Sequence, residues 1–292
     1  MLIEKTLKQK ETMTREVEAG SLIFAAGYGS RMRGFSGNKT LLPLVPGPNP
    51  FEGEHPIISE IITSLPRGPK ALVIHHRKDE VITATRDLGV SYYDQPVLNG
   101  TGGALIVAQG FLEHIGQEHV VITMGDTPFV KRATYHDLLT QLGDHDLVVL
   151  GSKPVDKAQY GILEIENGRV KRITEWRYWR EYPQERRSHF QVCNSGIYAA
   201  KRSALLTYLK KLRKTPHQVE KERDGRMIVV EEYFITDLVE LMNNDGLAVG
   251  LVVVDEEKEV MGIDTLEDLV FAQSTFAERN RQTKSFDCWH RK

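Results

Sequence analysis

Two cations, Arg31 and Lys39, stand on either side of a Gly/Ser-containing bend. They follow an apolar run that ends in small residues, Leu22-Ile23-Phe24-Ala25-Ala26-Gly27-Tyr28-Gly29-Ser30. A buried strand that opens into a glycine loop can offer backbone N–H groups to a polyphosphate, with the two cations meeting its charge. Gly27 and Gly29 would let the backbone come close, Ser30 adds a hydroxyl donor, and the chemistry implied is the handling of a nucleoside triphosphate. Two standard phosphate motifs do not fit. A P-loop has glycine directly before its lysine, where this chain has Asn38. A dinucleotide fingerprint needs a third glycine at position 32, which is Met32, and an acid about twenty residues on, where Pro43 to Pro50 holds no carboxylate. The competing reading is a plain strand-to-helix turn with surface cations.

Further clusters lie downstream. In Gln95-Pro96-Val97-Leu98-Asn99-Gly100-Thr101-Gly102-Gly103-Ala104 the glutamine amide carries donor and acceptor together, as the edge of a uracil or thymine ring requires. Gly100 to Gly103 suit close backbone approach at a helix N-terminus, with Thr101 as cap. Read alone, the same stretch is equally a capped helix after a glycine turn. Asp126 ends the strand-like run Val121–Met124 and is placed to hold Mg²⁺; the plain alternative is a turn cap. Asp264 precedes a helical pattern, where it reads as an N-cap with Glu267 closing the box, which does not exclude metal binding. Glu175, Asn194 and Thr236 read from their surroundings as a surface acid, a turn asparagine and an N-cap. His75 and His76 are neighbours on a strand, point to opposite faces, and are poorly placed to share one ion.

The elements that must position these groups follow from periodicity. Strand-length apolar runs at Ser21–Ala26, Ala71–His75, Val90–Tyr93, Val120–Met124 and Leu147–Gly151 alternate with helical patterns near Ile57–Ser64, Lys78–Leu88, Gly103–His114 and Ala133–Leu142. Several runs are apolar on both sides. This predicts an α/β fold: a three-layer, Rossmann-like, mostly parallel (mixed) sheet with helices on both faces and ligand loops at the strands' carboxyl ends. In the second half, Asn167-Gly168 marks a hairpin between Ile162–Ile165 and Val170–Thr174, a small β-hairpin subdomain. Ile197–Ala200 and Leu247–Val254 read as strands. Ser203–Lys211, Glu232–Met242 and the chain from Thr265 onward read as helices. Arg177–Phe190, with four arginines and four aromatics, reads as a solvated or lid-like loop, and Thr215–Met227 as a charged, mobile segment.

The chain has 292 residues, 40% hydrophobic, enough for one large α/β domain. The division expected is an N-terminal arm at 1–20, a main domain at 21–275 and a tail at 276–292. A formal net charge of -2 gives no electrostatic case for nucleic acid as partner. Two distant cysteines, Cys193 and Cys288, speak against a disulfide framework and for a reducing, cytoplasmic setting. No segment reads as a signal peptide or membrane span.

Taken in order, these segments resemble the sugar-phosphate nucleotidyltransferase family, most nearly its N-acetylglucosamine 1-phosphate uridylyltransferase domains, from about Ser21 to about Gln273. The most specific part is Ala25-Ala26-Gly27-Tyr28-Gly29-Ser30-Arg31-Met32 with the later Lys39-Thr40-Leu41-Leu42-Pro43. The resemblance implies that Ala25, Ala26, Gly27, Gly29 and Ser30 line a triphosphate loop and that Arg31 and Lys39 are catalytic. Gln95, Gly100 and Thr101 would hold the base, and Asp126 and Asp264 would bind Mg²⁺. Gly161, Glu175, Asn194 and Thr236 would face the sugar under the hairpin. It implies transfer of a nucleotidyl group from UTP, with dTTP second, to a sugar 1-phosphate. The alternatives are a cytidylyltransferase for a non-sugar phosphate and a non-catalytic nucleotide-sugar-binding regulatory protein. The chain departs from the family where Asn38 replaces the usual proline, Gly103 the usual His or Ala, and Asp264 a frequent asparagine. Arg177–Phe190 and Thr215–Met227 also differ from close relatives. No acyltransferase β-helix is expected after the terminal helix.

Overall fold

The computed structural model describes residues 17–29, 31–157, 159–223 and 226–289. Leu22 and Ile23 show why the first run becomes an interior strand. Successive side chains point to opposite faces, and both are fully buried, in separate cores above and below the sheet. The chain enters through β1 (Gly20–Ala25), a 3-10 turn (Lys39–Leu41), β2 (Pro43–Pro46), β3 (Gly53–Pro56) and α1 (Ile57–Ser64). It continues through β4 (Lys70–Ile74), α2 (Lys78–Thr85), β5 (Val90–Asp94), α3 (Gly100–Val107), α4 (Gln109–His114), β6 (His119–Met124), α5 (Arg132–Gln141) and β7 (Leu147–Ser152). Next come the hairpin β8 (Ile162–Glu166) and β9 (Arg169–Thr174), α6 (Trp176–Trp179), α7 (Gln184–His189), β10 (Cys193–Lys201) and α8 (Arg202–Leu212). A second hairpin, β11 (His217–Arg223) and β12 (Arg226–Glu232), leads to α9 (Asp237–Asn244), β13 (Val249–Val253) and α10 (Leu266–Trp289).

The central sheet has the order β13-β7-β10-β6-β1-β4-β5, and β8–β9 joins it through β10. β10 is antiparallel to β6 and β7, while the other pairs in that path are parallel. One face is covered by α1, α5 and α10 through Ile57, Ile61, Leu138 and Leu269. The other is covered by α3, α4, α8 and α9 through Leu105, Phe111, Leu209 and Leu238. The expected three-layer, mostly parallel fold is therefore the one found. The first hairpin is also as expected: Asn167 (φ 51°) and Gly168 (φ 75°) are both left-handed, as its two-residue turn requires.

The differences lie in the second half and in one ribbon. Most of Thr215–Met227, expected to be mobile, is paired strand. His217 to Arg223 pairs residue for residue with Glu232 back to Arg226. Glu232 thus closes a strand, and the helix expected from that residue begins at Asp237. Arg177–Phe190 holds short helices, α6 and α7, pinned where the Trp179 indole donates to Tyr160 O at 2.8 Å and Arg186 lies over the Tyr182 ring. The β2–β3 ribbon was unmarked in the sequence. α10 packs beside it, and Gln273 Nε2 donates to Pro43 O at 2.9 Å and Pro50 O at 2.8 Å. That helix runs unbroken across position 275. Among the described residues no helix is long and apolar enough to cross a membrane.

Glu259 fixes the segment that leads to Asp264. Its buried carboxylate accepts from Lys131 N (3.1 Å) and from the Thr134 hydroxyl, and pairs with Lys131 Nζ (3.1 Å). Glu259→Ala strands these donors and is expected to cost about 2–3 kcal/mol of stability. The measurement is a urea titration, in which the midpoint falls with the slope unchanged.

Candidate functional site

β1 and β6 are neighbours and end at the same edge, so the loops that follow them lie side by side; Gly125 N donates to Phe24 O at 2.9 Å. Asp126 leaves the end of β6, and its carbonyl accepts from Ile263 N at 3.0 Å, which brings Asp264 beside it. Lys39 opens the 3-10 turn and reaches both acids: its Nζ is 2.6 Å from Asp126 Oδ2 and 2.6 Å from Asp264 Oδ1. Arg31 Nη1 meets the other Asp264 oxygen at 2.9 Å. The Lys39 side chain is 12% exposed and that of Arg31 63%. Burial works against the lysine's charge, but the two carboxylates outweigh it and hold its pKa above the ordinary value. Among the described residues no group of three or more His, Cys, Asp or Glu converges for a metal ion.

Two residues here do other work than the sequence suggested. Asp264 is not the cap of α10. Thr265 and Asp268 form the capping box, Asp268 N donating to Thr265 Oγ1 and Thr265 N to Asp268 Oδ2, which leaves the Asp264 carboxylate to the cations. Asn38, buried to 1% exposure, caps the Lys39 turn through Thr40 N and donates to His76 O at 2.7 Å. An asparagine in place of proline therefore ties the lysine turn to the end of β4. His75 meets Asp94, and the rings of His75 and His76 both contact Tyr28.

A hollow of about 210 Å³ holds Ala25, Gly27, Gly29, Arg31, Lys39, Asp126 and Asp264. Beside it, sharing Phe24 and Gly27, lies a cavity of about 290 Å³ lined by Ala26, Gln95, Leu98, Gly100, Thr101, Lys221 and Glu232. Ser30 lies outside the described residues. The glycines after Asn99 also serve packing. Gly100 (φ 90°) would carry a Cβ 2.4 Å from Tyr233 O, and Gly102 N donates to that oxygen at 2.8 Å. Thr101 is not a cap for its helix. Its hydroxyl accepts from Ile235 N, and the N-cap position falls on Asn99. These contacts lock the Asn99–Thr101 loop to the end of β12.

The four residues assigned to the sugar also assemble. Asn194 N donates to Gly161 O at 2.8 Å, a Cβ on Gly161 would lie 3.7 Å from Glu175 Oε2, and Thr236 Oγ1 donates to Glu175 Oε1 at 2.9 Å. Thr236 occupies the N-cap position of α9 but spends its hydroxyl on Glu175. Asn194 Nδ2 donates to the buried Tyr198 hydroxyl at 2.8 Å. Outside them opens a cleft of about 620 Å³ lined by Glu175, Trp176, Arg177, Tyr178, Arg180 and Gln218. Sequence reasoning missed Lys221, Glu232 and Tyr233. The β-branched run Ile228-Val229-Val230 was the available signal, obscured by the charged residues of its partner strand.

Residues 21–229 match the MobA-like NTP transferase domain family. The bifunctional protein GlmU of Jannaschia sp. (strain CCS1) is 30% identical over 266 residues, 89% of this chain and 52% of that protein. The chain thus spans about half the length of the curated relatives it matches. The uridine diphosphate N-acetylglucosamine pyrophosphorylase of Trypanosoma brucei, in complex with inhibitor, superposes with a TM-score of 0.67 at 13% identity, over 92% of this chain and 68% of that one. A CMP:2-keto-3-deoxy-manno-octonic acid synthetase complexed with CTP gives 0.59 at 14% identity, over 90% and 100%. At such identities these two likenesses concern the fold.

Burial raises the Glu175 carboxyl above its ordinary pKa, opposed by the Thr236 hydrogen bond. Between the unfolded and the raised folded value the native state holds a proton the unfolded chain has lost, so stability falls as pH rises through that window. Glu175→Gln keeps the acceptor for Thr236 and removes the charge. Urea titrations should show a higher midpoint than wild type at pH 7 and no gain at pH 4.

Proposed function

The chain belongs to the MobA-like NTP transferase domain family, and on that premise we propose that it joins a sugar 1-phosphate to UTP, with dTTP as second donor, releasing pyrophosphate and a nucleotide sugar. The observation that carries this reading is the unbroken charge line Arg31–Asp264–Lys39–Asp126 at the carboxyl edge of the sheet. It opens on one side into the cavity of about 290 Å³ beside Gln95. The cluster of Gly161, Glu175, Asn194 and Thr236 supplies polar groups suited to sugar hydroxyls.

Two opposed carboxylates gripping one cation are a hard-oxygen donor set. That suits Mg²⁺, which takes one or two carboxylates and completes its shell with phosphate oxygens and water. Asp126 and Asp264 would hold the ion, which would neutralise and orient phosphate oxygens. The chain's own residues do the rest. The acceptor 1-phosphate is already anionic near neutral pH, so no general base is needed. Its oxygen forms a bond to the α-phosphorus of the triphosphate while the bond to the β-phosphate oxygen breaks, and pyrophosphate leaves with the electron pair. Lys39, held by its capped turn, places a fixed positive charge where negative charge is transferred, and Arg31, more exposed, meets the departing pyrophosphate. The Gly27–Gly29 backbone offers N–H groups to the phosphates. A silent regulatory relative would have no need to keep all four charged groups in register.

The test is pyrophosphate release with Mg²⁺, each of UTP, dTTP, CTP and ATP, and a panel of sugar 1-phosphates. Turnover is expected with a pyrimidine triphosphate, UTP foremost, and absence of turnover across the panel overturns the proposal. Lys39→Ala and Asp126→Asn should each lower kcat/KM at least a hundredfold, about 3 kcal/mol in the barrier.

A further inference from the structure

Gln95, 4% exposed, has its side-chain nitrogen fully committed: Nε2 donates to Asn99 Oδ1 at 3.1 Å and to Gly100 O at 3.0 Å. No donor among the described residues reaches its Oε1, and the residue lines the cavity beside the phosphate hollow. Flipping the amide would set Oε1 against two carbonyl oxygens, so the orientation is fixed by its partners. Asn99 can take part because position 103 has no side chain. A Cβ there would stand 1.9 Å from Asn99 Oδ1 and 3.0 Å from Gln95 Nε2. Gly103, a departure from the family pattern, and Asn99 are thus one device.

We infer that Asn99, admitted by Gly103, is a positioning residue that holds the carbonyl oxygen of Gln95 toward the nucleotide base and thereby selects a uracil- or thymine-type ring over cytosine. The inference rests on the nucleotidyl-transfer reading above. The Watson–Crick edge of uracil presents a ring N–H between two carbonyl oxygens; cytosine presents an unprotonated ring nitrogen in its place. A fixed acceptor bonds the first and repels the second. Gly100 and Thr101 line the same cavity and open α3, where their own N–H groups lack helical acceptors and can serve the uracil carbonyls, Gly102 N being taken by Tyr233 O. A glutamine free to flip would offer either atom and discriminate poorly.

The experiment is calorimetric titration of UTP and CTP, each with Mg²⁺, into the full chain as wild type, Asn99→Ala, Asn99→Asp, Gly103→Ala and the Asn99→Ala/Gly103→Ala double variant, with urea melts to confirm folding. Wild type should prefer UTP. Asn99→Ala and Gly103→Ala should each reduce the UTP:CTP affinity ratio roughly tenfold, the scale of one discriminating hydrogen bond. Asn99→Asp, which still accepts from Nε2, should keep most of it. Because the two alanine changes break one contact, the double variant should fall no further than either single. A ratio unchanged in both single variants, or losses that add, overturns the inference while leaving the transfer reading intact. A wild type that prefers CTP overturns it likewise. A wild type that binds no triphosphate overturns the transfer reading, and this inference with it.

Discussion

Two carboxylates facing each other across the carboxyl edge of a sheet need a cation between them. Unit charges about 4 Å apart repel by roughly 4 kcal/mol at an effective dielectric of 20, and Asp126 and Asp264 both lie within 2.6 Å of one ammonium. Their nearness is set by the backbone, because Ile263 N bonds Asp126 O. Lys39 supplies the charge, and much local structure serves to deliver it: the buried Asn38 cap, the close join between β1 and β6, and the capping box that frees Asp264 from its own helix. The cation side is thereby preorganised. On the proposed reading, a ligand bearing phosphate charge and a divalent ion would find acids and bases already in register and would have mainly to exchange partners with them.

The β11–β12 ribbon gives the site its second constraint. Lys221 and Glu232 wall the cavity beside Gln95, while Gln218 of the same ribbon lines the outer cleft. Glu232 is almost wholly buried and is held by Lys221, with Arg177 3.9 Å away. The His217 ring bonds Asp237 at 2.8 Å and packs on Phe234. The ribbon is thus clamped at its root to α9 and to the loop that carries Gln95, through Tyr233 N to Asn99 O. The inner cavity and the outer cleft share one wall, so a shift in the ribbon is felt in both.

Much of this architecture was legible in the sequence because burial on two faces leaves a strong trace. Runs such as Val120–Met124 and Leu147–Gly151 admit few readings other than an interior strand, and their observed limits differ by one residue. The Arg31, Lys39, Asp126 and Asp264 quartet was named through the family resemblance; read alone, the residues left a turn cap and an N-cap open, because only Asp126 closely follows a sheet strand. The ribbon was hidden because its exposed face carries Glu220 on one strand and Val229 on the other, while the charged Lys221 and Glu232 share the inward face with Val219, so no clean apolar period marks it. The glycines after Asn99 were legible as glycines, but their packing against a distant segment was not. That a distant residue, Tyr233, would press its backbone against Gly100 is a property of the folded chain.

Departures from a family's pattern can mark either decay or adjustment, and here the local contacts decide between the two. Where proline is usual, Asn38 makes hydrogen bonds that fix the lysine turn. Where asparagine is frequent, Asp264 adds a negative charge, and Arg31 stands 2.9 Å away to balance it. Where a side chain is usual, Gly103 leaves a gap that Asn99 fills. Drift in a disused site would leave unpaired charges and empty space, because nothing selects the partner of a neutral change. Each of these three changes has a partner in contact with it, and each pair bears on a group that the transfer reaction would use. On the proposed reading, that pattern fits a working site with altered detail, the alterations falling on charge around the acids and on orientation of the base.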